Sequence, residues 1–468
     1  MKIMERIEAK ETGETMSDRG IIQEMVAKAR GSQANWEKAD QEKIDAVVRE
    51  IGRTVYDNAE ELARLTVEET GIGSYEFNVK QDRRKACIIW HSIKGRPSVG
   101  IIDRDRRTGL VTIAKPIGVI GAVLPVTIPV TNFMSNCMFS LKARNAVIGA
   151  PHPKARRTVA RTAELVYERI KKFDVPDNLI QYLNEPSIEL TNQLMKAVDV
   201  IVATGGMGMV KAAYSSGKPA YGVGPGNVQC IIDRGADIGE AVDKIIEGRV
   251  FNNGLPCACE QAAIVPREDA VKILKMFEER QVVYIDNLQD IEKIAGVLYV
   301  DGVLSRDGIG ITAAEVARKA GISVLEDTKV LLLKGDMRDD NLLRREKLSP
   351  VTLFYTYDKF EEAVAIAQRN TDLEGRGHSV SIHSNDEAHI EALALAVDVS
   401  RVIVNQCATT SAGGSFMNGF GATTTLGTGF WGNNILSENL DFRHLMNYTR
   451  IGYEPEGARI PNDEEIWG

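Results

Sequence analysis

From residue 118 onward, short β-branched runs alternate with amphipathic helical stretches. No other feature of the chain constrains its fold as much. "VIGAVLP", "NAVIGAP", "LIQYLN" and "VDVIVATGG" are four such runs, separated by helical segments such as Val159–Lys172. Parallel neighbours need a crossover long enough to carry a helix, so this spacing predicts βαβ units and a doubly wound sheet. "NVQCIID", Asn227–Asp233, is expected to close this half. A second half repeats the style with "QAAIVP", "VLLLKG", "TLFYTY", "HSVSIHS" and "SRVIVNQ", interleaved with helices such as Phe360–Gln368. Two α/β lobes in one chain place a ligand in the crevice between them.

The flanks read differently. Residues 17 to 95 are expected to be helical, with Ile21, Ile22, Met25, Val26 and Ala29, and later Ile44, Val47, Val48 and Ile51, at helical spacing. "VGIIDRDRRTGLVTIAKP" has two β-rich arms around a charged turn, which predicts a protruding hairpin. The tail Asn447–Gly468 is polar and ends in "EEIWG"; it is expected to lie on a partner or a neighbouring lobe. Met16 is a second candidate start, which leaves residues 1–15 as an amino-terminal extension.

At 468 residues the chain is long enough for two or three domains. A formal net charge of −8 gives no reason to expect nucleic acid. The runs Arg83-Arg84-Lys85 and Arg156-Arg157 are read as solvated faces or local anion contacts. No apolar run has the length of a membrane span, and the amino terminus lacks a signal-peptide core, so a cytoplasmic protein is expected, with packaging in a bacterial microcompartment left open. Six scattered cysteines form no disulfide framework.

Glycine is concentrated between Ala203 and Asn227, directly after a strand, where backbone amides could approach a dinucleotide pyrophosphate. "SSGKPA" lacks the hydroxyl residue of a P-loop, and "GTGFWG" (Gly427–Gly432) matches G-x-G-x-x-G with no βαβ unit starting there, so both are rejected. His378 and His383 stand five apart in an alternating segment, on opposite faces of a strand, and supply no second half of a metal site to Cys257 and Cys259; no metal is expected. "NNGLPCACEQ" is turn-forming and leads into buried structure. On spacing alone its two thiols could be packed apolar residues, or one of them a nucleophile.

Taken together, "AKPIGVIGAVLPVT", "LKARNAVIGAPHPKA", "VIVATGGMGMVKAAYSSGKPAYGVGPGN", "FNNGLPCACEQ", "EKLSP", "GHSVSIHS" and "TTTLGTGFWGNNILSENL" resemble the CoA-acylating branch of the aldehyde dehydrogenase superfamily, from about Ser17 to Gly468. The chain is similar to the aldehyde dehydrogenase half of bifunctional alcohol/aldehyde dehydrogenases, and more so to CoA-dependent succinate-semialdehyde dehydrogenases.

The resemblance implies an α/β fold with two doubly wound lobes and a β-hairpin oligomerisation arm. Residues 1–98 and 115–238 would form the dinucleotide-binding domain, 239–432 the catalytic domain, and 99–114 with 433–468 the oligomerisation arms. It makes Cys257 the nucleophile and places Cys259 at a serine position of the family. Thr127 would stand with the Cys257 amide as an oxyanion donor, and His378 would serve proton transfer. Pro151 and His152 would border the adenosine ribose, with Thr204, Gly205 and Gly206 near the pyrophosphate and Glu346 at the nicotinamide ribose. Pro153 and Lys154 supply no acid against a 2′-phosphate, so NAD or NADP is permitted. Coenzyme A is the implied acyl acceptor, and a homodimer or homotetramer the implied assembly.

Hydrolytic relatives carry a glutamate where Val223 falls; its absence disfavours water as second nucleophile. Ile128, Thr428 and Phe430 depart from the family's pattern at positions expected to border the aldehyde or the nicotinamide. The expected substrate is a small aldehyde, with an anionic one (succinate semialdehyde, sulfoacetaldehyde) ahead of acetaldehyde or propionaldehyde. An inactive scaffold is the reading from another class, opposed by the intact Cys257 and Glu346.

Overall fold

The computed structural model describes residues 18–468; the proposed extension 1–15 lies outside them. Four helices open the described chain: α1 (Asp18–Trp36), α2 (Gln41–Asp57), α3 (Ala59–Thr70) and α4 (Tyr75–Ile93). Asp40 caps α2 by accepting the Lys43 N–H, and Gly71 ends α3 in the left-handed conformation. The apolar stripe of α2, Ile44, Val47, Val48 and Ile51, is fully buried, as its spacing predicted.

β1 (Gly100–Asp105) and β2 (Leu110–Pro116) form the expected antiparallel hairpin. The tail contributes β17 (Met446–Gly452), which pairs antiparallel with β2 along its whole length. That part of the tail therefore completes a three-stranded arm within its own chain, while residues 456–468 are exposed.

The first lobe is a five-stranded parallel sheet in the order β5-β4-β3-β6-β7. Its strands are β3 (Val119–Val123), β4 (Ala146–Ala150), β5 (Ile180–Tyr182), β6 (Val200–Thr204) and β7 (Ala220–Val223). Helices α5 (Pro129–Lys142), α6 (Arg156–Ile170), α7 (Ile188–Ala197) and α8 (Met207–Tyr214) connect them. α5 is buried at every position, polar ones included, because it runs through the middle of the molecule.

The second lobe is a seven-stranded sheet ordered β10-β13-β14-β9-β8-β15-β16. It comprises β8 (Val228–Ile232), β9 (Glu260–Pro266), β10 (Val282–Ile285), β13 (Val330–Lys334), β14 (Val351–Tyr357), β15 (Val380–His383) and β16 (Val402–Val404), with β11 (Tyr299–Val300) and β12 (Val303–Leu304) as a separate ladder.

The strand in Asn227–Asp233, expected to close the first half, is β8. It pairs with β9 and β15 and sits near the centre of the second sheet. The chain thus leaves the first sheet after Val223, ahead of the expected boundary at 238. A fully apolar strand does not advertise which sheet it joins; both offer the same two-sided burial. No helix of the described residues is long and apolar enough to cross a membrane.

Candidate active site

Helix α9 (Ile238–Val250) runs into a turn whose backbone is left-handed at three successive residues, Asn252 (φ 47°), Asn253 (φ 55°) and Gly254 (φ 74°). Asparagine and glycine are the residues that tolerate this region. The surroundings hold the turn in place. Asn252 accepts the Ser74 N–H at 2.8 Å and donates to Asn78 at 3.1 Å, and Asn253 donates to the Gly310 carbonyl at 2.9 Å. A Cβ on Gly254 would stand 2.7 Å from the Ser349 backbone. The Cys259 N–H then donates to the Pro256 carbonyl at 3.0 Å. Cys257 and Ala258 therefore form the corner of a turn, and Cys259 enters β9 beyond it.

The two thiols face different surroundings. Cys257 is partly exposed and its Sγ lies 3.1 Å from Nε2 of His378. His378 is fully buried just ahead of β15, not on the alternating strand, and its Nδ1 has no hydrogen-bond partner. Burial, followed by the nearby Arg401 cation, pushes this imidazole down to about 3, so it is neutral at physiological pH. Burial, followed by Glu346, pushes the Cys257 thiol up to about 12, while Arg401, its own backbone N–H and Lys85 pull the other way. Among the described residues no carbonyl accepts the Cys257 N–H.

Gly226 joins the parts of this site. A Cβ there would stand 1.9 Å from the Cys257 carbonyl oxygen and 3.2 Å from the His378 ring, and its N–H donates to Glu346 at 3.1 Å. Glu346 is raised to about 8 by burial and then by Glu374, which leaves it largely protonated near neutrality.

Cys259 is fully buried beside Arg249, Thr409 and Glu260. Glu260 accepts from the Ala408 N–H at 2.7 Å and from Thr409 at 3.2 Å, and a Cβ on Gly248 would stand 2.0 Å from its carboxylate. Arg249, completely buried, donates to the Ser349 carbonyl but leaves two guanidinium nitrogens unpaired.

At the end of β6, Thr204 passes into Gly205 and Gly206, and Gly206 caps α8. The Gly205 N–H donates to the Val223 carbonyl at 3.3 Å, while a Cβ on Gly206 would meet nothing within 4 Å, so it is the Gly206 end of the turn, at the start of α8, that is open to approach by an anion such as a dinucleotide pyrophosphate. Thr204 bonds Asn132 and Thr425, each at 3.3 Å, and Asn132 bonds Thr424 at 3.1 Å, which ties this turn to the segment 423–425 of the other lobe.

Val223 ends β7 in register with Thr204, buried at 3% exposure. Pro151 is buried at the end of β4, and His152 is exposed, with its Nδ1 accepting the Lys154 N–H at 3.1 Å. Thr127 lies between β3 and α5; among the described residues no hydrogen bond joins it to Cys257. Gly226, Arg401, Arg249 and Lys85 were not singled out individually from sequence, because only tertiary packing brings them here. Among the described residues no group of three His, Cys, Asp or Glu side chains could hold a metal ion.

Comparison with known proteins matches this geometry to a family. The model of the aldehyde dehydrogenase family matches residues 7–289. A succinate-semialdehyde dehydrogenase (acetylating) of Clostridium kluyveri is 46% identical over 454 residues, covering 97% of this chain and 100% of that protein. A sulfoacetaldehyde dehydrogenase of Acholeplasma is 38% identical, covering 96% of this chain and 94% of that one. The crystal structure of an acetylating aldehyde dehydrogenase from Geobacillus thermoglucosidasius superposes with a TM-score of 0.91 at 35% identity, covering 95% of this chain and 98% of that one. The chain belongs to the aldehyde dehydrogenase family.

Proposed function

We propose that this enzyme is a CoA-acylating aldehyde dehydrogenase that interconverts a short aldehyde, coenzyme A and NAD(P)+ with the acyl-CoA and NAD(P)H. The observation that carries the reading is the 3.1 Å contact between Cys257 and a neutral, fully buried His378, with Val223 at the place of the hydrolytic base. His378 accepts the thiol proton as Cys257 Sγ attacks the aldehyde carbonyl. The raised thiol keeps the sulfur largely protonated, so its reactivity depends on an adjacent proton acceptor. The Cys257 N–H supplies an oxyanion donor to the thiohemiacetal, with Thr127 as the second.

The turn Thr204-Gly205-Gly206 and Glu346 would hold NAD(P), with Pro151 and His152 toward its ribose; when bound, it supplies the hydride acceptor that leaves a thioester on Cys257. His378 releases the first proton to solvent and, neutral again, takes the proton of the incoming CoA thiol; the CoA sulfur adds to the thioester carbonyl, the Cys257 thiolate leaves, and His378 returns the proton to it. No carboxylate at Val223 activates water, so the thioester waits for the thiol.

Two relatives named for succinate semialdehyde and sulfoacetaldehyde support an anionic aldehyde as the substrate class. Residues 18–98 and 115–223 serve as the dinucleotide-binding lobe and 228–432 as the catalytic lobe. The three-stranded arm serves a homodimer or homotetramer; light scattering should give at least a dimer, and a monomer would remove that part of the reading. The main test is NAD(P)H formation from aldehyde with and without CoA. Sustained NAD(P)H formation should require CoA, and equal rates without it would refute the acylating assignment.

A further inference from the structure

The run Arg83-Arg84-Lys85, read from sequence as a solvated face or local anion contact, divides in the structure. Arg83 faces solvent and pairs with Glu60 at 2.8 Å. Arg84 donates to the Thr410 carbonyl, and Lys85 Nζ donates to the carbonyls of Gly413 at 3.0 Å and Thr423 at 2.8 Å. A Cβ on Gly413 would stand 2.6 Å from this ammonium, so glycine there leaves it room.

The segment that receives Lys85 also packs on Ala258, the neighbour of Cys257. Thr409 reaches the Ala258 carbonyl at 3.4 Å, and Ala258, Ala408, Ala412 and Leu426 form one apolar cluster with Phe420 against it. Lys85 is bound to residues 413 and 423 of this segment, Cys257 is the chain neighbour of Ala258 in the cluster, and each of the two groups favours the other's charged form. Carbonyls orient an ammonium without neutralising it, and among the described residues no carboxylate pairs with Lys85. Two of its three N–H donors are engaged, leaving one free for a further acceptor. Burial, and then Arg84, lowers the ammonium to about 7, while Cys257 pulls the other way.

The geometry points to Lys85 as the residue that selects the substrate: its ammonium receives the anionic tail, carboxylate or sulfonate, of a short aldehyde whose carbonyl is held at Cys257. This rests on the acylating reading above and adds the group that reads the tail. Removing the cation should cost mainly binding of the charged substrate, because the tail does not change during the reaction.

The test compares a four-carbon aldehyde ending in a carboxylate, a two-carbon aldehyde ending in a sulfonate, and butanal, each with saturating CoA and NAD(P)+. The wild-type enzyme should prefer at least one anionic aldehyde over butanal, and which one it prefers distinguishes the two tails. In Lys85→Met that preference should fall about 50-fold, the size of one charge-assisted hydrogen bond, and appear chiefly in KM. Lys85→Arg should keep it within about fivefold, with thermal unfolding showing that both variants are folded.

An unchanged charged-to-neutral ratio in Lys85→Met would overturn the inference. So would an equal loss on all three aldehydes together with slower alkylation of Cys257, which would make Lys85 a group acting on the thiol. Wild-type activity on butanal with no preference for charge would sink this inference alone, whereas no CoA-dependent activity on any aldehyde would sink the functional reading with it.

Discussion

Cys257 and Cys259 stand two residues apart, yet the fold gives each its own base or cation and its own acid. Cys257, at the corner of a turn, faces His378, Arg401, Lys85 and Glu346, and is partly exposed. Cys259, just ahead of β9, faces Arg249, Thr409 and Glu260 in a fully closed space. Both thiols are pushed up to about 12, with burial the largest cause each time, so acidity does not distinguish them. Access and a neutral imidazole 3.1 Å away do. A nucleophile is made by where the chain turns as much as by the residue.

The comparison can be broken most severely by removing one sulfur at a time. Cys257→Ala should reduce CoA-dependent turnover by at least about 10³-fold, because the covalent route is lost. If the pair were interchangeable, substantial activity would survive through Cys259. His378→Gln should lower kcat/KM by about 10²-fold and slow iodoacetamide alkylation of Cys257 while leaving Cys259 protected in the folded enzyme. Alkylation at an unchanged rate would remove His378 from the role given to it. Cys259→Ser should change steady-state rates by less than about threefold, since the hydroxyl can keep a partner in Thr409.

The smallest effect concerns the acids. Glu346 is raised to about 8 in the folded chain, so the folded state prefers its protonated form. Above pH 4.5 the unfolded chain releases that proton and the folded chain retains it, so the cost to stability grows until pH 8 and is then constant. Glu346→Gln should therefore stabilise the protein by about 1–3 kcal/mol at pH 8.5 and by much less at pH 5. Thermal melts showing the opposite trend would contradict the assigned environment.

Much of the architecture was legible in sequence because it rests on local periodicity. The helices of residues 18–93 follow their apolar spacing, and the hairpin follows its charged turn. β8 was placed in the wrong sheet because Val228–Ile232 is buried on both sides and has no directional pattern. At the site, the Asn-Asn-Gly turn could be read from residue types that accept left-handed backbone, whereas its anchors, Ser74, Asn78 and Gly310, come from distant parts of the chain. Gly226 was one glycine among several until the fold pressed it against Cys257 and His378. Lys85 looked like part of a surface run because its two acceptors lie more than 300 residues further on.

The most direct test of the central claim is to trap the acyl enzyme. Enzyme incubated with NAD(P)+ and a competent aldehyde, without CoA, should carry one acyl group, located by peptide mass spectrometry on Cys257. That group should persist for minutes in buffer and leave as acyl-CoA within seconds of CoA addition. Release of the free acid at a comparable rate without CoA, or an acyl group found on Cys259, would contradict the account.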